Sequence, residues 1–108
     1  MTDRELLEFA AKAVGLRFET NEKTVAVESP FIPDVYYRDW NPLHDDGDAL
    51  RLAVQVGIAI CPSNVSVIAW RLDAVDRDEA LELLGNYPAK ATRRAIVRAA
   101  AEIGKAMP

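Results

Sequence analysis

Near the start of the chain, apolar residues recur at helical spacing. Leu6, Leu7, Ala10, Ala13 and Val14 fall on one side, and Glu5, Glu8 and Lys12 fall on the other. Thr2-Asp3-Arg4-Glu5 has the form of a capping box, in which the threonine hydroxyl accepts from the Glu5 amide and the glutamate reaches back to the Thr2 amide. Gly15 stands just beyond, free to turn left-handed. The pattern predicts a helix over residues 3–14. The period then shortens to two: Leu16-Arg-Phe-Glu-Thr alternates apolar with polar, and Val25 and Val27 resume the alternation after Asn21-Glu22-Lys23. That is a hairpin with one wet face.

A second helix is expected after Asp45. Ala49, Leu50, Leu52, Ala53, Val54 and Val56 leave only Arg51 and Gln55 as a narrow polar stripe, so it should be buried on most of its circumference. Gly57 ends it. Ile58-Ala-Ile-Cys has no polar member and suits a strand covered on both faces. Pro62-Ser63-Asn64 turns the chain, with the proline at the first inner position, and residues 65–72 return antiparallel. Residues 73–88 allow two readings: helical turns over Asp76–Leu84 closed by Gly85, or an irregular connection. From Ala91 to Met107 a last helix is expected, with Ala95, Ile96, Ala99, Ala100, Ile103 and Met107 as its inner stripe. The order α-ββ-α-ββ-(α)-α specifies an α+β fold with a mostly antiparallel sheet of about four strands flanked by helices.

At 108 residues this is one domain over 1–108, and half its residues are apolar, enough for a core without disulfides or metal. The net charge of −4 is unevenly spread. Residues 1–50 carry eleven acids against five bases (−6), and residues 51–108 carry six acids against eight bases (+2). Such a balance favours solubility and argues against a general polyanion binder. Cys61 is the single cysteine, so no internal disulfide can form. No signal-peptide pattern opens the chain and no apolar run approaches a membrane span, so a cytoplasmic location is expected.

Candidate chemistry centres on Asp39-Trp-Asn-Pro-Leu-His-Asp-Asp-Gly-Asp. His44, Asp46 and Asp48 offer donors for a hard cation, but the spacing is not that of a calcium loop and no second histidine exists for zinc. The same residues start a helix well. Asp45 serves as N-cap, Asp46 and Asp48 face the positive end of the helix dipole, and Trp40 with Leu43 plugs the helix entrance. Asp45 and Asp48 are accordingly assigned structural roles, with no metal and no cofactor. Cys61 next to Pro62 is read as a small hydrophobe, and Ser63 and Ser66 lack a base.

The segment Trp40-Asn-Pro-Leu-His-Asp-Asp-Gly-Asp-Ala-Leu-Arg-Leu-Ala-Val resembles part of a family of small uncharacterised proteins of tailed bacteriophages and prophages. The closing Arg94-Ala-Ile-Val-Arg-Ala-Ala-Ala-Glu-Ile-Gly-Lys-Ala-Met and the opening Leu6-Leu7-Glu8-Phe9-Ala10-Ala11-Lys12-Ala13 are similar to the same family. The resemblance implies an α/β/α sandwich and a setting in the host bacterial cytoplasm, and it implies no reaction. Threonine often stands in that family where His44 stands here, which weakens a catalytic role for His44.

Two surfaces remain as binding candidates. Phe31, Tyr36, Tyr37 and Trp40, four of the eight aromatic residues, fall between Pro30 and Pro42. They make either a loop folded over the core or a partner-binding surface. Lys90, Arg93, Arg94, Arg98 and Lys105 give the last helix a basic side that is a solvated face or, alternatively, a nucleic-acid contact. The function expected is that of a non-enzymatic phage accessory protein which binds another macromolecule or itself, with nucleic-acid binding as the alternative.

Overall fold

The computed structural model describes residues 1–15, 18–20, 25–28, 37–72 and 79–108; residues 18–20, 25–28 and 37–39 are described through their backbone. The order is α1 (Asp3–Ala13), β1 (Phe18–Thr20), β2 (Val25–Glu28), β3 (Tyr37–Trp40), α2 (Asp46–Val56), β4 (Ile58–Pro62), β5 (Ser66–Arg71), β6 (Ala80–Leu83) and α3 (Pro88–Ala106). The fold is α+β, but its strands form two antiparallel sheets of three, β1-β2-β3 and β4-β5-β6, in place of one sheet of about four. Both hairpins expected from the alternating pattern are present, and each gains a third strand.

Those third strands come from segments read as something else. β3 lies within the aromatic stretch taken for a loop and pairs with β2, Trp40 opposite Val25. β6 replaces the helical turns considered over Asp76–Leu84 and pairs with β5, Leu81 opposite Ile68. Residues 73–78 lie outside the described residues.

α1 begins as its capping box requires, with the Glu5 amide donating to the Thr2 hydroxyl oxygen at 3.2 Å. The reciprocal bond differs from expectation: the Glu5 carboxylate accepts from the Thr2 hydroxyl at 3.0 Å instead of from the Thr2 amide. Gly15 follows at φ 71°. α3 starts three residues earlier than the periodicity indicated, because Pro88 occupies its first turn, where the missing N–H costs nothing.

α3 is the hub of the molecule. It packs against α1, α2 and all three strands of the second sheet. Its buried set therefore widens beyond a single stripe to Ala91, Ala95, Ile96, Val97, Ala99, Ala100, Ala101 and Gly104. Small residues suit a helix enclosed on several sides, since each neighbouring backbone has to come close. Met107, expected on the inner stripe, is exposed. α2 instead packs mainly against α3 and β4, so the expectation that it is buried on most of its circumference fails. Leu52, Ala49 and Ala53 are inside, while Leu50 and Val54 are 61% and 74% exposed.

The second sheet is likewise covered on one face. Val67 and Ala69 of β5, Ile58 of β4 and Ala80 of β6 are buried toward α3. Cys61 and Pro62 are exposed, so β4 is not covered on both sides and Cys61 is not a core thiol. Among the described residues no helix lies on the outer face, and an α/β/α sandwich about this sheet does not form.

Candidate functional site

The acidic cluster after Pro42 is occupied with local structure. Asp45 has extended backbone and accepts from the Asp48 amide at 2.7 Å, which makes it the N-cap of α2. Asp48 is buried, with 3% of its surface accessible, and accepts from the Asn41 amide at 3.0 Å and from Arg51 Nη2 at 2.8 Å. The Asp48 carboxylate thereby ties the turn 41–44 to the first turn of the helix. Asp46 pairs with Arg93 Nη1 at 2.6 Å, and Arg93 Nε donates to the Leu43 carbonyl at 2.9 Å. The cluster thus fastens α2 to α3. His44 is exposed on the turn, and its backbone amide donates to the Asn41 carbonyl. Among the described residues no three His, Cys, Asp or Glu side chains converge as a metal site would need.

The basic side of α3 is engaged in the same manner. Arg94 pairs with Asp3 at 2.9 Å and lies 3.7 Å from Glu82, linking α3 to α1 and to β6. Arg98 pairs with the same Glu82 carboxylate and donates to the Leu81 carbonyl. Arg94 and Arg98 line a half-open hollow of about 490 Å³, together with Met1, Leu6, Glu79 and Glu102. Its cations face carboxylates, so it offers no excess charge of either sign to a phosphate. Lys90 and Lys105 are exposed, yet they sit fifteen positions apart, about 22 Å along the helix. Three of the five cations proposed for nucleic acid are therefore partnered within the protein.

Of the aromatic candidates, Phe31 and Tyr36 lie outside the described residues. Tyr37 occupies β3 opposite Glu28. Trp40 is 4% exposed and belongs to the core with Leu43, which bears out its reading as a plug and removes it from any preformed binding surface. Ser63 is a turn residue: its hydroxyl accepts from the amides of Val65 and Ser66 and donates to the Ser66 carbonyl. The turn between β4 and β5 is thus held by the serine, and Pro62 is the last residue of the strand instead of an inner turn position.

One surface emerges that the residue patterns had not singled out. Residues opposite one another in an antiparallel pair share a face. Since Val67 and Ala69 point to α3, the outer face carries Ser66, Ile68 and Trp70 of β5, Cys61 and Ala59 of β4, and Leu81 and Leu83 of β6. None of these is charged. Leu81 and Leu83 are 50% and 75% exposed. β6 has its binary pattern inverted, because the polar Glu82 points inward to Arg94 and Arg98 while the leucines point out. The signal in the sequence was Ala-Leu-Glu-Leu, a period-2 alternation in four residues that helical spacing also accommodates.

Each edge of this sheet carries one obstacle to a further strand. The Leu84 amide bonds to the Val65 carbonyl, so alternation turns the backbone groups of Leu81 and Leu83 away from β5. Arg98 covers the outward Leu81 carbonyl. On the other edge, the Ser63–Ser66 and Gly57–Leu72 bonds place Pro62 with its ring outward, where it has no N–H to offer.

The chain matches no family model, no curated protein and no solved structure. Among the described residues no helix is long and apolar enough to cross a membrane.

Proposed function

We propose that this chain is a non-enzymatic binding domain that engages a macromolecule through the outer face of β4-β5-β6. The observation that carries the reading is the inverted pattern of β6, where an exposed strand directs leucines to solvent and its carboxylate inward. A solvated antiparallel face ordinarily bears polar residues at those positions. A contiguous uncharged patch on an otherwise charged chain is the usual mark of an interaction surface.

The setting we propose is a phage or prophage accessory protein acting in the host bacterial cytoplasm; it rests on the resemblance of the three segments quoted above. The test is affinity capture from phage-infected or lysogenic cells with the wild-type chain and with Leu81→Glu/Leu83→Glu. A macromolecule retained by the first and lost with the second is expected. Equal capture by both would refute the face as the site. Loss of capture in Arg94→Glu/Arg98→Glu alone, together with a salt-dependent shift of nucleic acid, would favour the basic side of α3 instead.

A further inference from the structure

We propose that the hollow between α1, α3 and the start of β6 is a binding site for a small zwitterion, an α-amino acid with an apolar side chain. The site lies on the α3 side of the second sheet and is separate from the outer face discussed above. Its volume of about 490 Å³ falls within the range of about 300–1,000 Å³ usual for small-ligand pockets. Part of its lining is uncharged and buried: Leu6 of α1, Ala80 of β6 and Ala99 of α3. Around this apolar surface stand charged groups of both signs, Arg94 and Arg98 with Glu79 and Glu102.

The guanidiniums are held in place without being used up. Arg94 gives Nη1 to Asp3 and turns Nε toward Glu82 at 3.7 Å, while Arg98 spends only Nη1, on Glu82 and the Leu81 carbonyl. Arg94 Nη2 and both Nε and Nη2 of Arg98 keep N–H groups for an incoming carboxylate, on side chains already fixed by ion pairs. The carboxylates of Glu79 and Glu102, by contrast, make no hydrogen bond or ion pair among the described residues. Glu102 stands one helical turn beyond Arg98, a spacing at which opposite charges commonly pair, yet Arg98 turns to Glu82 instead. A cation donor and a free carboxylate are thus about 5–6 Å apart at their Cβ atoms, a gap that a carboxylate and an ammonium on one carbon can bridge. A phosphate meets repulsion from Glu79 and Glu102, and a simple amine leaves the arginine N–H groups idle. An α-amino acid uses both and lays its side chain on Leu6, Ala80 and Ala99. Since the charged partners are partly exposed, binding is weak, with Kd on the order of 1 mM.

The experiment is a ¹H–¹⁵N correlation titration of the labelled chain with L-alanine, L-leucine and L-phenylalanine, each from roughly 0.1 to 20 mM, a range chosen to bracket that Kd. The amide of the tightest binder, which lacks the carboxylate, and its N-acetyl derivative, which lacks the ammonium, are titrated alongside. Saturable shifts are expected at the amides of Leu6, Ala80 and Ala99, with either derivative binding about tenfold more weakly or worse. Arg98→Gln is expected to abolish the shifts and Glu102→Gln to weaken binding about tenfold. If Arg98→Gln does not fold, Glu102→Gln and the amide derivative put the same question. No saturable shift with any of the three amino acids overturns the proposal. So does equal binding of either derivative, undiminished binding by Glu102→Gln, or shifts confined to residues away from the hollow. Capture lost with Leu81→Glu/Leu83→Glu bears on the outer face alone, so the two readings stand or fall separately.

Discussion

Gly104 offers the sharpest test of how this core is built. It lies on α3 where that helix meets α1, and a Cβ placed there would sit 1.8 Å from the Phe9 carbonyl oxygen, 2.7 Å from its carbonyl carbon and 3.2 Å from the Ala13 nitrogen. All three are backbone atoms, so no rotamer change relieves the clash. A carbon and a carbonyl oxygen approach to about 3.3 Å at closest, which means α1 has to retreat by about 1.5 Å. That retreat loosens a close-packed contact around Ala10, Ala11, Ala100 and Ala101, none of which has any exposed surface. Overpacking of this kind costs about 3 kcal/mol when backbone moves, and the better helix propensity of alanine returns about 1 kcal/mol. Gly104→Ala should therefore lose about 2 kcal/mol, or about 10 °C in Tm for a domain near this size. Urea denaturation followed by tryptophan fluorescence measures it, with Gly47→Ala as the control. There the added Cβ meets only the ends of the Arg51 and Asp45 side chains at 3.2–3.3 Å, and a gain of up to about 0.5 kcal/mol is expected. A Gly104→Ala protein as stable as the wild type, or more so, would refute the close helix crossing.

Other perturbations probe separate joints. Trp40→Ala should cost about 3 kcal/mol or more by chemical denaturation, since the ring is buried with Leu43 in the core; an unchanged midpoint would contradict its burial. Asp45→Ala should cost about 1 kcal/mol through loss of the N-cap, visible as a lower urea midpoint at unchanged m-value. Asp48→Ala should cost about 2 kcal/mol, more than the cap, because it leaves the part-buried Asn41 amide without its acceptor and releases Arg51. Glu82→Gln should cost about 0.5–1 kcal/mol at low salt and less at high salt, since its partners Arg94 and Arg98 are themselves partly exposed. Melts at two ionic strengths separate that outcome from a loss of packing.

The helices α1 and α2 were legible because each carries its own punctuation. Thr2 and Gly15 bracket α1, and Asp45 and Gly57 bracket α2, where local chemistry alone decides. The strands β3 and β6 were not, for a shared reason. Each is four residues long and lacks the turn-flanked alternation that marked the β1-β2 hairpin, so each is decided by pairing with a neighbour. The exposed side of α2 was misjudged because its apolar count exceeds what its neighbours cover; Leu50 and Val54 look like core residues until the packing of α3 is known. The roles of the charged residues were half visible. Asp45 could be assigned from its position before an apolar run, whereas the partnership of Arg94 with Asp3 joins residues 91 positions apart. The outer face of the second sheet escaped notice because its six apolar residues come from three strands, none of them apolar enough alone to draw attention.

The crossing of α1 with α3 also bears on how the chain is made. A ribosome releases α1 long before α3, and the tight seat for Phe9 is built by Gly104, 95 positions later. Throughout that interval α1 has only β1 and β2 to pack against and lacks α3, its main neighbour. The packing of α1 is therefore completed only once α3 has been made, and a nascent chain halted before Ala91 carries an amphipathic helix without its main neighbour.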